Sequence, residues 1–175
     1  NPNFLKISPD RKTLYVVTMV TPAGKADGFV EAYKIGEDGR LDFINRQDSK
    51  GANPCHVDVS PDGKIVGVAN YGSGTTSLYP VAGDGGLLPA SSTVVNKGSG
   101  ADSSRQSAPH AHSIRFYGPG NYIFSADLGT DRVDIFRIDN LKHKPAAQKY
   151  LKLPPGSGPR HFDFHPDGDV IYVIN

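Results

Sequence analysis

The sequence predicts an all-β protein of the β-propeller class, on three observations. Four segments share one pattern: a short alternating apolar stretch, a turn rich in Pro and Gly, and a second apolar stretch. Further alternating stretches lie between them, so that a complete unit holds four strands and spans about 50 residues. No stretch has a convincing helical period, because Pro145 interrupts the nearest candidate at 140–153. Four-stranded antiparallel units at this period are typical of propeller blades.

Each repeated segment supplies the first two strands of a unit, joined by a tight turn such as SPDG or HPDG. In chain order the segments are NFLKISPDRKTLYVVT (3–18), CHVDVSPDGKIVGVAN (55–70), HSIRFYGPGNYIFSAD (112–127) and RHFDFHPDGDVIYVIN (160–175). The other strands of the complete units are GFVEAYKI and RLDFINRQDS, TTSLYPVA and SSTVVNK, and DRVDIFRI and AQKYLKL. The predicted units therefore lie near 3–49, 55–100 and 112–153, with a half unit at 160–175.

This count predicts about 3.5 blades, which cannot close a ring of the usual 4–8. Twice the chain length corresponds to seven blades at the observed period. An open ring would also leave unpaired strand edges and apolar blade faces in water. We therefore expect this chain to be half of a propeller whose remaining half is its partner.

Composition excludes several classes of partner. The 19 basic and 18 acidic residues are well mixed and give a net charge of +1, so neither nucleic acid nor a membrane surface is an expected partner. No apolar run approaches the roughly 20 residues of a membrane span. Cys55 is the only cysteine, so no internal disulfide ties the fold to an oxidising compartment. The first residues lack a signal-peptide pattern. We expect a cytoplasmic protein, or a periplasmic or secreted one if a signal peptide was removed.

The candidate site follows from strand geometry. The first and second strands of a unit are antiparallel, so the start of one and the end of the other meet at the same edge of the blade. In a propeller that edge is one mouth of the central channel, which the first strands line. The segments before the first strands carry His56, His110, His112, Arg160 and His161, and those after the second strands carry Asn70 and Asp127. Imidazoles, an Arg and a carboxylate suit an anionic ligand and acid–base chemistry.

Some of these residues also have a structural interpretation. His56 and His161 could simply bond a neighbouring loop, whereas Arg160 is costly to desolvate without an anionic partner. His110 and His112 have a spacing that can bind metal, but no third ligand is evident and no metal is predicted. Arg105 lies in a long loop at the predicted mouth and could reach an anionic substrate. Cys55 is expected to be a buried thiol.

Asp131 and Arg132, which follow a second strand, have their own interpretation. We expect them to form a structural ion pair or a turn.

Six stretches together resemble the lactonase family of seven-bladed propellers, and the similarity covers essentially the whole chain. They are GANPCHVDVSPDGK, VANYGSG, RQSAPHAHS, SADLGTDRV, LPPGSGPRHFDFHPDG and YVIN. The family includes propeller-type 6-phosphogluconolactonase and 3-carboxy-cis,cis-muconate cyclase. The resemblance implies chemistry without a cofactor or metal, and it places His112 and Arg160 in the catalytic site. It also implies a Glu directly after Asn175 and an Arg in a later blade, so this chain alone is expected to be inactive.

The expected function is hydrolysis of a small anionic sugar lactone. His112 would be the general base, and Arg160 would bind the anion or the carbonyl oxygen. The expected substrate-binding residues are His110, His161, His56, Asn70, Asp127 and Arg105. A muconolactone-type cyclase or isomerase remains an alternative, as does a propeller used as a binding scaffold without catalysis. A Glu after Asn175 in the parent gene would favour an enzyme, and an apolar residue a scaffold.

Overall fold

The structure is a computed structural model that describes residues 1–20, 27–118 and 121–175. Within these residues the chain forms strands and no helix, so the all-β prediction is confirmed. It follows that none of the described segments is a helix able to cross a bilayer. The predicted turn of the third repeat falls partly on 119–120, outside the described residues.

The described strands form three four-stranded antiparallel sheets and one two-stranded sheet, each with its strands in sequential order. The first sheet holds β1 (Pro2–Ile7), β2 (Thr13–Val20), β3 (Asp27–Ile35) and β4 (Leu41–Asp48). The second holds β5 (Pro54–Val59), β6 (Ile65–Asn70), β7 (Thr75–Pro80) and β8 (Ser92–Val95). The third holds β9 (Ala111–Tyr117), β10 (Tyr122–Asp127), β11 (Arg132–Asp139) and β12 (Lys142–Lys152). The last pair is β13 (His161–Phe164) and β14 (Ile171–Ile174). The observed sheets therefore span 2–48, 54–95, 111–152 and 161–174. The corresponding predicted units were 3–49, 55–100, 112–153 and 160–175.

Hairpin turns of one design join the first two strands of three sheets. In Ser60–Gly63 the proline fixes the turn, the Gly63 amide donates to the Ser60 carbonyl at 2.8 Å, and Gly63 has a φ of +72°. The last turn repeats this with Gly168, whose amide donates to the His165 carbonyl at 2.8 Å. In the first turn Arg11 takes the left-handed backbone conformation, with a φ of +61°, where the other two turns have glycine.

The one stretch with a faint helical character is a strand. β12 contains Pro145, which lies opposite Phe136 next to an irregularity in the pairing of β11 with β12. Because β12 is the outermost strand of its sheet, the missing amide of a proline can be tolerated there.

The core lies between neighbouring sheets, which pack face to face. The first and second sheets bury a cluster that includes Tyr15, Val30, Val57 and Tyr79. Two further clusters fill the spaces between the second and third sheets and between the third sheet and the β13–β14 pair. This stacking follows from strands that are apolar on both faces, such as the fully buried β6.

The first strands of successive sheets lie side by side along the inner edge of the stack. Polar groups join them across the blades. Asp58 on β5 pairs with Lys6 on β1 at 2.9 Å and accepts the Phe116 amide of β9 at 3.0 Å. Arg115 on β9 pairs with Asp163 on β13. The inner strands therefore hold the starts of four sheets together, and those starts carry the predicted site.

Apolar side chains remain exposed at both ends of the stack. Leu5 and Ile7 on β1, and Tyr172 and Ile174 on β14, are exposed large apolar residues. Each sits on a strand whose other face packs into the core. The two terminal blade faces thus have the character of surfaces that another blade covers.

Candidate active site at the channel mouth

One cleft at the starts of the inner strands contains the two residues predicted to be catalytic. His112 is the second residue of β9, Arg160 directly precedes β13, and His161 begins β13. The full lining of the cleft is Asn3, Phe4, Cys55, His112, Arg160, His161, Ile174 and Asn175. It draws on the first strands of all four sheets because those strands converge at this mouth.

Three imidazoles from three consecutive blades meet in and beside this cleft. The ring centroids of His112 and His161 are 5.1 Å apart, and those of His56 and His161 are 5.6 Å apart. Phe4 stacks on His56 with a centroid distance of 4.1 Å. The three rings range from buried His56 through half-buried His112 to exposed His161. Burial favours the neutral form of an imidazole, because a protonated ring would be a cation removed from water.

Burial, together with the positive charge of Arg160 and the neighbouring His161, lowers the pKa of His112 to about 4. This differs from the ordinary value of about 6.5 expected from the sequence. The imidazole is therefore neutral at neutral pH and can accept a proton. Its Nδ1 atom is buried and has no hydrogen-bond partner within the described part of the chain.

The neighbouring histidines are neutral for similar reasons. Burial lowers the pKa of His56 to about 3, with a smaller contribution from His161. Burial also lowers the pKa of His161, assisted by the charges of Arg160 and Arg115. The positive charge at the mouth thus comes from arginine side chains and not from imidazolium groups.

Arg160 and Arg105 line a second cleft that adjoins the first. Its other lining residues are Asp102, Gln106, Leu128, Gly156, Ser157, Gly158 and Asn175. Neither arginine belongs to an ion pair found among the described residues. Arg160 is exposed, so the argument that its desolvation demands an anionic partner does not apply. The support for anion binding is therefore that two solvent-exposed guanidinium groups line the same cleft.

Asn70 and Asp127, both predicted to bind substrate, are fully buried at 0% exposure. The Asn70 amide donates to the Ser49 carbonyl and to Thr75 Oγ1, each at 2.9 Å. Asp127 Oδ1 accepts the amides of His110 and Gly129, and its Oδ2 accepts the Asn96 side chain at 2.7 Å. These bonds tie both side chains to the loops around the mouth, and their contact with substrate stays a prediction.

His110 and His56 do not line the cleft that holds His112 and Arg160. His110 Nδ1 is 2.9 Å from the Tyr71 carbonyl, and its ring stacks on Tyr71 at 4.5 Å. His56 is 4% exposed, its Nδ1 lies 3.4 Å from the Ile114 amide, and it borders a neighbouring cleft with Arg115 and His161. Direct substrate contact remains a prediction for the two histidines.

Tyr71, which the sequence places at this mouth directly after β6 without assigning it a role, contacts both histidines of the PHAHS motif. It stacks on His110 and meets His112 edge-on at 5.7 Å. Tyr71 thereby connects the second blade to the candidate base on the third.

Cys55 lies in the same cleft but is not reactive there. Its Sγ is 3.2 Å from the His112 carbonyl and 3.5 Å from the Ala111 carbonyl. Burial raises the pKa of this thiol to about 12, so the thiolate required of a nucleophile is absent at neutral pH. The residue as a whole is half-buried, whereas a buried thiol was expected, because it also lines the cleft.

A possible metal-binding arrangement lies away from the cleft. Over the described ranges, His165, Asp167 and Asp169 form the group whose ligand atoms come close enough together for an ion. These residues belong to the exposed turn between β13 and β14, where the Asp167 amide donates to His165 Nδ1. An internally bonded hairpin turn explains the grouping without an ion.

Comparison with known proteins gives a consistent result. The model of the family described as "Lactonase, 7-bladed beta-propeller" matches residues 1–175. A protein named 6-phosphogluconolactonase from Formosa agariphila is 36% identical over 100% of this chain and 50% of its own length. The protein of the same name from Bacillus subtilis is 34% identical over 99% of this chain and 48% of its own length.

Two solved structures show the same architecture. A candidate 6-phosphogluconolactonase from Bacteroides fragilis superimposes with a TM-score of 0.91 at 37% identity, over 100% of this chain and 50% of that one. A periplasmic gluconolactonase from Pseudomonas aeruginosa gives a TM-score of 0.89 at 31% identity, over 99% of this chain and 50% of that one. The chain thus spans about half the length of the relatives that it matches.

Proposed function

Because this chain belongs to the lactonase family of seven-bladed β-propellers, we propose that the protein containing it hydrolyses a small anionic sugar lactone. The observation that carries the proposal is the single cleft shared by the neutral imidazole of His112 and the guanidinium of Arg160. One group can take a proton, and the other can stabilise negative charge. Lactone hydrolysis needs both.

In the proposed reaction His112 acts as the general base. It accepts a proton from a water molecule, whose oxygen attacks the lactone carbonyl carbon. The carbonyl oxygen becomes an oxyanion in a tetrahedral intermediate, and the bond from carbon to the ring oxygen then breaks. The products are a carboxylic acid, which ionises, and a hydroxyl group that receives the proton.

Arg160 has two possible tasks in this scheme, and it borders both clefts. It can donate hydrogen bonds to the oxyanion as negative charge develops, or it can hold the anionic end of the substrate with two parallel hydrogen bonds. Arg105 lines only the second cleft. We assign the anionic end of the substrate to that second cleft, where the two arginines outweigh the single carboxylate of Asp102.

An anionic substrate also improves the base. The charge of Arg160 is one cause of the low pKa of His112. A bound phosphate or carboxylate would offset that charge and raise the pKa of His112 towards neutral pH, where a general base is more effective. Substrate binding and proton transfer would then be coupled through Arg160.

The names of the relatives support a sugar lactone as the substrate. Two of them are called 6-phosphogluconolactonase, which implies a phosphorylated lactone, whereas the structure from P. aeruginosa is called a gluconolactonase. We favour the phosphorylated lactone for this chain because Arg105 and Arg160 share one cleft. No cofactor or metal enters the proposed scheme.

The proposed active protein contains more than these blades. The chain spans about half of its relatives, and the exposed apolar faces of β1 and β14 suit coverage by the remaining half of the propeller. By family resemblance that half would supply a Glu directly after Asn175 and a further Arg, so residues 1–175 alone would be inactive. The cytoplasm remains our proposed compartment, although the relative from P. aeruginosa is described as periplasmic.

A substrate panel tests this function on the full-length protein. We expect 6-phosphoglucono-δ-lactone to be hydrolysed with a kcat/KM at least tenfold above that for glucono-δ-lactone, after subtraction of the spontaneous rate. Turnover of a carboxylated muconolactone in its place would establish the cyclase or isomerase alternative. No turnover of any of the three would leave the propeller as a binding scaffold.

A further inference from the structure

Asp131 lies directly behind the second cleft, and its carboxylate accepts three hydrogen bonds from two separate loops. Its Oδ1 accepts the Gly158 amide at 2.8 Å and the Gln106 side-chain amide at 2.7 Å. Its Oδ2 accepts the Gly156 amide at 2.8 Å. The residue is 4% exposed, and its backbone has a left-handed φ of +55°. A buried carboxylate satisfied in this way fixes the loops that bond to it.

The first of these loops carries Arg105. Gln106, which is 2% exposed, also donates through its Nε2 to the Leu128 carbonyl and accepts the Asp102 amide through its Oε1, each at 2.8 Å. The Gly100 amide donates to the Gln106 carbonyl at 2.9 Å. Hydrogen bonds between Asp102 and Gln106 thereby close the turn at 102–106, and the Gln106 side chain fixes this turn to Asp131. Arg105 directly precedes Gln106 in the sequence.

The second loop carries Arg160. Gly156 and Gly158 are attached to Asp131, and Arg160 follows two residues later, where its own amide donates to the Ile174 carbonyl at 2.9 Å. Gly158 has a φ of +57°, a conformation that favours glycine. The segment 156–160 is therefore short, with its start hydrogen-bonded to Asp131 and its end hydrogen-bonded to Ile174.

Of the two alternatives that the sequence offered for Asp131 and Arg132, Asp131 lies in a turn, and Arg132 is not its ion-pair partner among the described residues. Arg132 pairs instead with Asp134, at 3.6 Å. Burial acts to raise the pKa of Asp131, but the hydrogen bonds from Gly158, Gly156 and Gln106 outweigh it and hold the pKa below the ordinary value. The carboxylate is therefore ionised at neutral pH, when each of these hydrogen bonds is strongest.

We propose that Asp131 is a positioning residue for the proposed active site, and that its carboxylate holds the two loops which bring Arg105 and Arg160 to one anion-binding cleft. The expected effect of this role on lactone kinetics rests on the proposed function. Its expected effects on loop order and on anion binding do not rest on that function.

The test is Asp131→Asn in the full-length protein, which keeps the shape of the side chain but replaces one acceptor oxygen with a donor. We expect KM for 6-phosphoglucono-δ-lactone to rise about tenfold with kcat within about twofold, because the arginines are displaced while His112 is not. Amide exchange at 100–106 and 154–160 should become faster. The matched control is Asp134→Asn, a buried aspartate of β11 three residues along the chain, whose side chain bonds to Asn96 and pairs with Arg132.

A mutant cycle separates positioning from general loss of stability. If Asp131 acts through Arg105 and Arg160, then adding Asp131→Asn to a variant that lacks both guanidinium groups, Arg105→Ala with Arg160→Ala, should change KM by less than about twofold. Should Asp131→Asn fail to fold, Gln106→Met removes one of the three hydrogen bonds to Asp131 and is expected to raise KM in the same direction. An unchanged KM in Asp131→Asn, an equal effect in Asp134→Asn, or a full effect of Asp131→Asn in the variant without the two arginines would each overturn the inference.

Failure of the proposed function gives a different result. If the wild-type protein hydrolyses no lactone, calorimetry with 6-phosphogluconate still reports on the cleft. Weaker binding of 6-phosphogluconate in Asp131→Asn than in Asp134→Asn would support the positioning role of Asp131, although the proposed lactonase activity would be refuted. Equal binding in the two variants, or no binding to the wild type, would refute the positioning role as well.

Discussion

The imidazole of His112 meets the imidazole of His161 edge-on, with the ring centroids 5.1 Å apart, although the two residues begin the inner strands of different blades. The contact lies beside Arg160, and burial together with the charge of Arg160 lowers the pKa of both rings. A neutral base, a neutral neighbour and a fixed cation therefore occupy one mouth of the channel. This arrangement determines how activity should respond to pH.

The pH dependence of activity should differ between free and bound protein. In the free protein His112 becomes a base above its pKa of about 4, so kcat/KM should rise with pH through about 4 and then level off. In the complex an anionic substrate offsets Arg160, so the corresponding rise in kcat should occur at higher pH. Initial rates from pH 3.5 to 7.5 give both profiles. A kcat profile whose pKa lies below that of kcat/KM would contradict the coupling through Arg160.

Arg160→Ala should act mainly on binding. Loss of a charge-assisted pair to phosphate is expected to raise KM for 6-phosphoglucono-δ-lactone by about tenfold or more, with a smaller effect for the uncharged lactone. Arg160→Lys should retain part of the affinity, because lysine keeps the charge but not the two parallel donors. Arg40→Ala is the control, since Arg40 is a highly exposed residue paired with Asp38 in the turn between β3 and β4. An equal loss for charged and uncharged lactones would show that Arg160 does not bind the anion.

His143 should contribute to instability in acid. It is buried beside Thr76 and Ser92, and burial lowers its pKa to about 4. Below its ordinary pKa the unfolded chain binds a proton that the folded chain refuses, so stability falls as the pH drops from about 6.5 to about 4. The shift corresponds to about 3 kcal/mol. Urea unfolding at pH 7 and pH 4.5 should show a smaller loss for His143→Gln than for the wild type. Equal losses would mean that His143 is protonated in the folded protein.

Asp58 should hold three inner strands together. Asp58→Ala leaves the Phe116 amide buried without a partner and removes the ion pair to Lys6, at an expected cost of about 3 kcal/mol. Asp58→Asn keeps an acceptor for the amide and should cost less. Asp62→Ala, which breaks an exposed pair with Lys64, should cost less than about 1 kcal/mol. Chemical denaturation of the three variants ranks them, and a cost for Asp58→Ala as small as that for Asp62→Ala would contradict the link.

Much of the fold could be predicted because it is local in the sequence. Alternating residues and turns such as SPDG define hairpins, and antiparallel pairing then brings the starts of β9 and β13 to one edge. The common mouth of His112, Arg160 and His161 follows from that geometry alone. Pro145 argued correctly against a helix at 140–153, but the strand there begins at Lys142 and includes the proline, whereas the predicted strand began at Ala147.

The roles of individual polar residues could not be predicted in the same way, because they depend on contacts between blades. Nothing near Asp127 in the sequence indicates that the Asn96 amide will bond to it or that both will be buried. The low pKa of His112 arises from packing and from Arg160, a residue of another blade. The attachment of Asp131 to Gly156 and Gly158 likewise joins the turn before β11 to a loop that lies more than 20 residues away.

The central claim is that His112 is the base of a lactone hydrolase. Its most direct test is the kcat of the full-length protein for 6-phosphoglucono-δ-lactone in the wild type and in His112→Ala, with folding verified by circular dichroism. We predict a loss in kcat of about 10²–10⁴-fold, the range of general-base catalysis, with KM changed by less than about threefold. A His112→Ala protein that turns over this lactone at the wild-type rate would contradict the account.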